Sequence, residues 1–257
     1  MRLTVFFTPA TILPDKAQQD DIYIVIDVIR ATTTLAVMFD RGASRVLVAG
    51  SIEQALKGAE KVPGRLLCGE RFVKRIPGFD YGNSPSEFSQ LDLTGRTMIL
   101  TTTNGTRAFY ACPEGTTRMA GCFYNAHAVT SRALALALER SSNISIVCSG
   151  EYNYFALDDA VCAGYLALEL QRQYAEYLAG YPQGKPLFSH ESVSAAIALY
   201  NAFTPPILIE HCASAQKVLA AGLLEDPPFC MRIDGSTSIP IVVGIDKETG
   251  LLAIERM

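Results

Sequence analysis

Long apolar runs are missing from this 257-residue sequence: none approaches the ~20 consecutive apolar residues that a membrane-spanning helix requires. An excess of positive charge is missing as well. The 22 lysines and arginines stand against 26 acids, a formal net charge of -4, so no broad field draws nucleic acid or anionic lipid and any anion must be bound by a local cluster. Paired cysteines are also absent. The seven present, an odd number, sit singly in apolar or alanine-rich segments, as Cys122, Cys148, Cys162 and Cys212 do, which predicts reduced core thiols. The opening MRLTVFFTPATILPDK reads as a strand and turn without a signal-peptide cleavage site. Together these absences predict a cytoplasmic protein whose partner is a small molecule, with no nucleic acid and no membrane.

Familiar catalytic templates are lacking too. There is no G-x-x-x-x-G-K-[ST] phosphate loop and no glycine fingerprint for dinucleotides. Cys112 to Arg118 has the C-x5-R spacing of cysteine phosphatases, but the cysteine ends a helix-like segment, Pro113 follows it and Arg118 starts a strand-like one, which is the wrong junction. Asp27 is not followed two residues later by a second acid, as an aspartyl-phosphate phosphatase would usually show. His127, His190 and His211 lack metal-ligand spacing.

With 49% hydrophobic residues there is ample material for a core. IYIVIDV (22 to 28), RVLVAG, LLCGE, MIL, TTRMAGCF and NISIVCSG are strand-like. Between them ATTTLAVMFDRG, SIEQALKGAE and AHAVTSRALALALERSS are helix-like, the second with capping-box spacing from Ser51 to Gln54. That alternation predicts an α/β fold, a sheet with helices on its faces. After residue 155 the texture becomes helical through ALDDAVCAGYLALELQRQYAEYLAG, SVSAAIALYNAF and PPILIEHCASAQKVLAAG. The tail from Pro227 reads as strands, with a turn at Lys247 to Gly250. No linker divides the chain, so one α/β unit over 1–257 with a helical excursion at 157–220 is expected. The alanine- and leucine-rich excursion also suggests a homodimer contact.

Two strand-to-helix junctions share a vocabulary. Asp27-Val-Ile-Arg30-Ala-Thr32-Thr33-Thr34 has its arginine before the threonine triplet, whereas Thr101-Thr102-Thr103-Asn104-Gly105-Thr106-Arg107 has it after. Free N–H groups and the helix dipole at such junctions attract anions, Gly105 permits close approach, and Arg30 or Arg107 offers a planar fork. Plain helix capping by threonine and asparagine accounts for either junction equally well. Asp27 closes an apolar strand, Glu70 ends another, and Asp158 and Asp159 open a long helix. Hard carboxylate oxygens suit Mg²⁺, while acids at a helix start also simply complement the dipole. The run GFDYGNSPSEF (78 to 88), with Asp80, Asn83 and Ser84, is a rigid loop that could face a ligand.

In order along the chain, Asp27 to Thr34, Gly69-Glu70-Arg71, Gly78 to Pro85, Thr101 to Arg107 and Asp159 to Gly164 resemble the successive motifs of the 2-phosphosulfolactate phosphatases, the ComB family. The resemblance continues less faithfully through Ser214 to a strand at Phe229-Cys230. It implies an α/β fold unlike the common phosphatases and Mg²⁺-dependent hydrolysis of 2-phospho-3-sulfolactate to 3-sulfolactate, a step toward coenzyme M in methanogens. Other phosphorylated 2-hydroxy acids are within the family's reach.

Two departures stand out: Asp158 where Glu is usual, which leaves that position out of the expected ligand set, and Lys217 where glycine is expected. The expected site then has Asp27, Glu70 and Asp159 holding or orienting Mg²⁺, directly or through water, and Asp27, Arg30 and Arg107 as catalytic groups. Thr32, Thr33, Asn83, Ser84, Thr103, Asn104, Gly105 and Thr106 would bind substrate. Water is expected to attack directly, with Asp27 the candidate for a covalent alternative. A non-catalytic sensor of phosphorylated or sulfonated acids is the rival expectation.

Overall fold

The structure is a computed structural model that describes residues 1–12, 18, 20–61, 64–181 and 183–257. The last part of the expected opening turn, residues 13–16, lies outside the described residues.

Strand and helix alternate through the first half as the pattern predicts. β1 (Arg2–Phe6) and β2 (Ile22–Ile26) precede α1 (Ala31–Asp40), and β3 (Arg45–Val48) precedes α2 (Ile52–Lys61). A hairpin of β4 (Leu66–Arg71) and β5 (Lys74–Arg75) leads through the short α3 (Pro85–Phe88) to β6 (Thr97–Thr101) and α4 (Gly105–Ala111). β7 (Thr117–Gly121), α5 (Ala126–Arg140) and β8 (Ile144–Cys148) complete this part. Local rules explain the boundaries. Ser51 Oγ accepts from Gln54 N at 3.2 Å, as the capping spacing predicts, while the Gln54 side chain returns to Gly50 N at 2.9 Å.

The fold departs from expectation in three places. α6 (Leu157–Gly180), the two-residue β9 (Phe188–Ser189) and α7 (Glu191–Ala202) are followed not by one helix but by α8 (Pro205–His211) and α9 (Ala213–Ala220). The break falls at Cys212, whose extended backbone and Sγ, accepting from Ala215 N at 3.4 Å, cap α9. Phe229 and Cys230, read as strand, lie in α10 (Asp226–Cys230), because prolines at its first turn suit a helix start. The run from Gly78 to Phe88 is only partly loop, since Ser84 Oγ accepts from Glu87 N at 3.1 Å and starts α3. The tail then forms β10 (Pro240–Ile245) and β11 (Leu252–Arg256).

Among the described residues the strands form one sheet in the order β5-β4-β6-β3-β11-β10-β7-β2-β8-β1-β9. The β4-β6-β3 group is internally parallel, as is the β7-β2-β8-β1-β9 group, and the antiparallel β10–β11 hairpin joins them. β2 shows why both faces must be covered: Ile22, Ile24 and Ile26 join one apolar cluster, with α5 and α6, while Tyr23 and Val25 join another, with α1 and α4. All seven cysteines are buried and unpaired. No single helix is long and apolar enough to cross a membrane among the described residues.

β6 and β2 stand five steps apart in this order, yet their C-terminal ends meet. Gly105, at the start of α4, lies so close to the end of β2 that a β-carbon there would sit 2.5 Å from Asp27 Oδ2 and 2.7 Å from the Ala31 side chain. Glycine is required at this contact.

Candidate active site

At the β2–α1 junction the threonines are turned inward. Thr32 Oγ1 donates to Asp27 O and Thr33 Oγ1 to Val28 O, both at 2.9 Å, and both residues are fully buried. They fasten the first turn of α1 to the strand it leaves and do not line a cavity; their hydroxyls donate to carbonyls and do not cap free N–H groups of the helix. Asp27 itself accepts from Ala31 N through Oδ1 at 3.2 Å. Arg30 is also buried. Its Nη1 donates to Asp226 Oδ2 at 2.8 Å and its Nη2 to Val73 O at 2.9 Å, which leaves other N–H donors of the guanidinium uncommitted.

Asp226 is a residue that sequence reasoning missed. Its carboxylate is fully buried, and Oδ1 also accepts from Ser84 Oγ at 2.7 Å and from Ser86 Oγ and N. Ser84, expected to touch substrate, is instead shared between the α3 cap and this carboxylate. The only sequence cue was an acid ahead of two prolines, which a strand assignment hides.

At the β6–α4 junction Thr103 donates to Glu70 Oε1 through both N (2.8 Å) and Oγ1 (2.9 Å), and Val73 N donates to Glu70 Oε2 at 2.9 Å. Both Glu70 oxygens are therefore occupied by the chain. Asn104 Oδ1 accepts from Tyr152 N at 3.0 Å. Thr106 exchanges local bonds with Thr102, its N donating to Thr102 Oγ1 and its Oγ1 to Thr102 O, and serves the helix start. Arg107 is exposed on the outer side of α4. The hairpin tip that Arg30 and Glu70 both grip carries left-handed backbone at Phe72 (φ 51°) and Val73 (φ 70°), an uncommon conformation for a β-branched residue.

The third element is the start of α6. Asp159 Oδ1 accepts from Val28 N at 2.9 Å and Oδ2 from Gly150 N at 3.0 Å, so this carboxylate ties the end of β2 to the loop after β8. Asp158 is equally buried and accepts from Ser214 Oγ through Oδ1 at 3.2 Å. Loss of hydration raises all three acids. It pushes Asp27 up to about 6, against the pull of the Ala31 N–H and with help from the Glu70 charge. Asp158 rises to about 7, through burial and then the Asp27 charge, and Asp159 rises well above the carboxylate range through burial and then Asp158. Among the described residues no lysine or arginine is ion-paired with any of the three.

These groups converge on a cavity of about 530 Å³. Asp27, Arg30, Glu70, Asn83, Thr103, Asn104 and Asp159 of the expected site line it, together with Asp158, Glu151, Ser214 and Lys217. Thr32, Thr33, Ser84, Gly105, Thr106 and Arg107 do not, and no histidine does. Asn83 is buried, and its Oδ1 has no partner, so the wall carries an acceptor for an O–H or N–H of a ligand or water.

Among the described residues no three His, Cys, Asp or Glu side chains are grouped to hold a metal ion by themselves, so a cation held or oriented by Asp27, Glu70 and Asp159 would also need water or substrate oxygens. Glu70 and Asp159 spend their oxygens on the backbone and on Thr103. Asp27 and Asp158 keep oxygen lone pairs free beside the cavity. Buried carboxylates without a cation are costly, and Mg²⁺ takes one or two carboxylates while keeping waters and substrate oxygens. The donor chemistry of Asp27 and Asp158 therefore fits a hard divalent cation, with Glu70 and Asp159 as supports.

The chain is similar to known proteins along most of its length. A family model described as 2-phosphosulpholactate phosphatase matches residues 6–244. A probable 2-phosphosulfolactate phosphatase of Thermus thermophilus is 34% identical over 246 residues, 95% of each chain. One of Deinococcus radiodurans is 43% identical over 168 residues, 65% of this chain and 66% of its own. A third, of Carboxydothermus hydrogenoformans, is 30% identical over 240 residues, 93% of this chain and 92% of its own.

Proposed function

The chain belongs to the 2-phosphosulpholactate phosphatase family and is thereby a phosphoric monoester hydrolase, and on that premise we propose that it is a Mg²⁺-dependent enzyme converting 2-phospho-3-sulfolactate to 3-sulfolactate and phosphate, the type of step that leads toward coenzyme M. The observation that carries the metal dependence is the uncompensated Asp27–Asp158–Asp159 cluster at the cavity, three acids with no ion-paired lysine or arginine among the described residues, their pKa values raised by burial and mutual repulsion.

In this reading Asp27 and Asp158 hold Mg²⁺, which supplies positive charge for the phosphoryl oxygens. The chain's own groups do the positioning. Arg30, braced by Asp226 and Val73 O, points its remaining N–H donors at the phosphate and cannot swing away. Glu70 fixes Thr103 and the hairpin tip, so that the end of β6 and the mouth of the cavity keep a constant spacing. Asp159 holds Val28 and Gly150 in place beneath Asp27. Asn83 Oδ1, the partnerless acceptor, orients an attacking water. Direct attack by water asks nothing more of the protein than this alignment.

The test is phosphate release from racemic 2-phospho-3-sulfolactate with Mg²⁺ and with EDTA, beside a panel of phosphorylated 2-hydroxy acids. Metal-dependent release fastest on the sulfonate is expected. Faster release from another acid would keep the chemistry and replace the substrate. Thermal stabilisation by these ligands with no release at any metal concentration would replace the enzyme with a sensor.

A further inference from the structure

The cavity is electrically divided. Its deep end holds Asp27, Asp158 and Asp159, whereas its mouth carries Lys217, whose Nζ is ion-paired with Glu151. The two ends are mechanically joined. Ser214 and Lys217 are three residues apart on α9 and share a face, with Ser214 Oγ bonded to Asp158 and Lys217 reaching the rim. Glu151 follows Gly150, whose N–H is bonded to Asp159, and the Glu151–Tyr154 bridge fixes the loop it stands on. Both members of the pair are therefore held at fixed positions relative to the acidic floor.

The pair itself is weak. Side-chain exposures of 52% for Lys217 and 34% for Glu151 place it in solvent, where such pairs contribute little, so an anion entering the cavity can replace Glu151 at little cost. Within the functional reading above, the phosphate goes to the floor and the rest of the substrate extends toward the mouth. From this we infer that Lys217 determines specificity by binding the second anionic group of the substrate, a carboxylate or sulfonate, and that Glu151 is the internal anion that keeps Lys217 over the cavity until substrate displaces it. Lys74, on the hairpin rim, is the competing ammonium on the same lining.

The experiment compares kcat/KM, in saturating Mg²⁺, for a phosphorylated 2-hydroxy acid and for methyl phosphate, which has no second anion. It uses the wild type, Lys217→Gln, Lys217→Arg, Glu151→Gln and Lys74→Gln. Lys217→Gln is expected to lower the ratio of the two values about tenfold or more, mainly through KM of the acid, because a charge-assisted contact is lost. Lys217→Arg is expected to retain the ratio. Glu151→Gln is expected to lower KM for the acid a few-fold by removing the competitor. A ratio unchanged by Lys217→Gln in an active enzyme, or a ratio that falls only with Lys74→Gln, overturns the assignment while leaving the phosphatase reading intact. A wild type that hydrolyses neither ester ends both.

Discussion

The two strand-to-helix junctions are written in nearly the same residues and are used differently. At β2–α1, Thr32 and Thr33 face the interior and the arginine, placed before the helix, is buried against Asp226. At β6–α4, Thr103 and Asn104 reach the cavity and the arginine, placed inside the first helical turn, is exposed. An arginine in the connecting turn stays at the strand ends, where the cavity is, whereas one two residues into a helix is carried round the helix surface. Shared composition therefore says that both ends are well fastened, and position relative to the helix start decides which one offers its guanidinium.

The largest expected effect tests the floor on which both junctions depend. Asp27→Asn and Asp158→Asn should each lower Mg²⁺-dependent kcat/KM by at least about 10³-fold, while Asp159→Asn lowers it less than Asp158→Asn does. Steady-state kinetics at varied Mg²⁺ decide this, and an Asp158→Asn enzyme with near-normal turnover would return the ligand role to Asp159. Next come the two arginines. Arg30→Ala should cost about 10²–10³-fold in kcat, and should also destabilise the fold by about 3–5 kcal/mol because Asp226 is left buried and unpaired. Arg107→Ala should stay within about threefold of wild type. Equal losses in the two variants would erase the contrast drawn here.

A pH scan of the metal-free protein is sharper still about the floor. A raised folded-state pKa means that the stabilising contribution is complete below the ordinary carboxylate value near 4 and is lost as pH rises through about 6 for Asp27 and about 7 for Asp158. The melting temperature in EDTA should therefore fall by about 5–10 °C between pH 4 and 7.5, and Mg²⁺ should flatten the fall by pairing the carboxylates. Calorimetry checks it, and a curve that rises over this range would contradict the burial of these acids. The smallest effect concerns the hairpin tip. Val73→Gly should stabilise by up to about 1 kcal/mol by relieving the left-handed backbone, offset in part by the greater freedom of glycine when unfolded. Denaturant melts measure it.

Much of the fold was legible because it is local. Short apolar, β-branched runs gave the strands, Ser51 and Gln54 gave a helix start, and the alternation of elements gave a sheet covered on both faces. The errors were local as well. Asp226-Pro-Pro begins a helix, and Cys212 interrupts what periodicity alone reads as one helix. The candidate site was legible as a set of strand ends, since Asp27, Arg30, Glu70, Asn83, Thr103, Asn104 and Asp159 all reach one cavity. Their division of labour was not. Asp158 and Asp159 are neighbours with the same chemistry, and only the positions of Val28 N, Gly150 N and Ser214 Oγ, 131, 9 and 56 residues away from the acids they bond, distinguish the carboxylate that ties the chain from the one left free.

Taken by itself, the sequence determined which residue types stand at strand ends, because backbone propensity and apolar spacing act over a few neighbours and leave polar residues only where an element stops. Which of those ends meet was decided by the tertiary structure. The β10–β11 hairpin from the end of the chain joins two parallel strand groups, and Gly105 lies against Asp27 although the strands before them stand five steps apart. Burial, and with it the raised pKa of the acidic floor, exists only once that closure has removed water from three carboxylates that share one cavity.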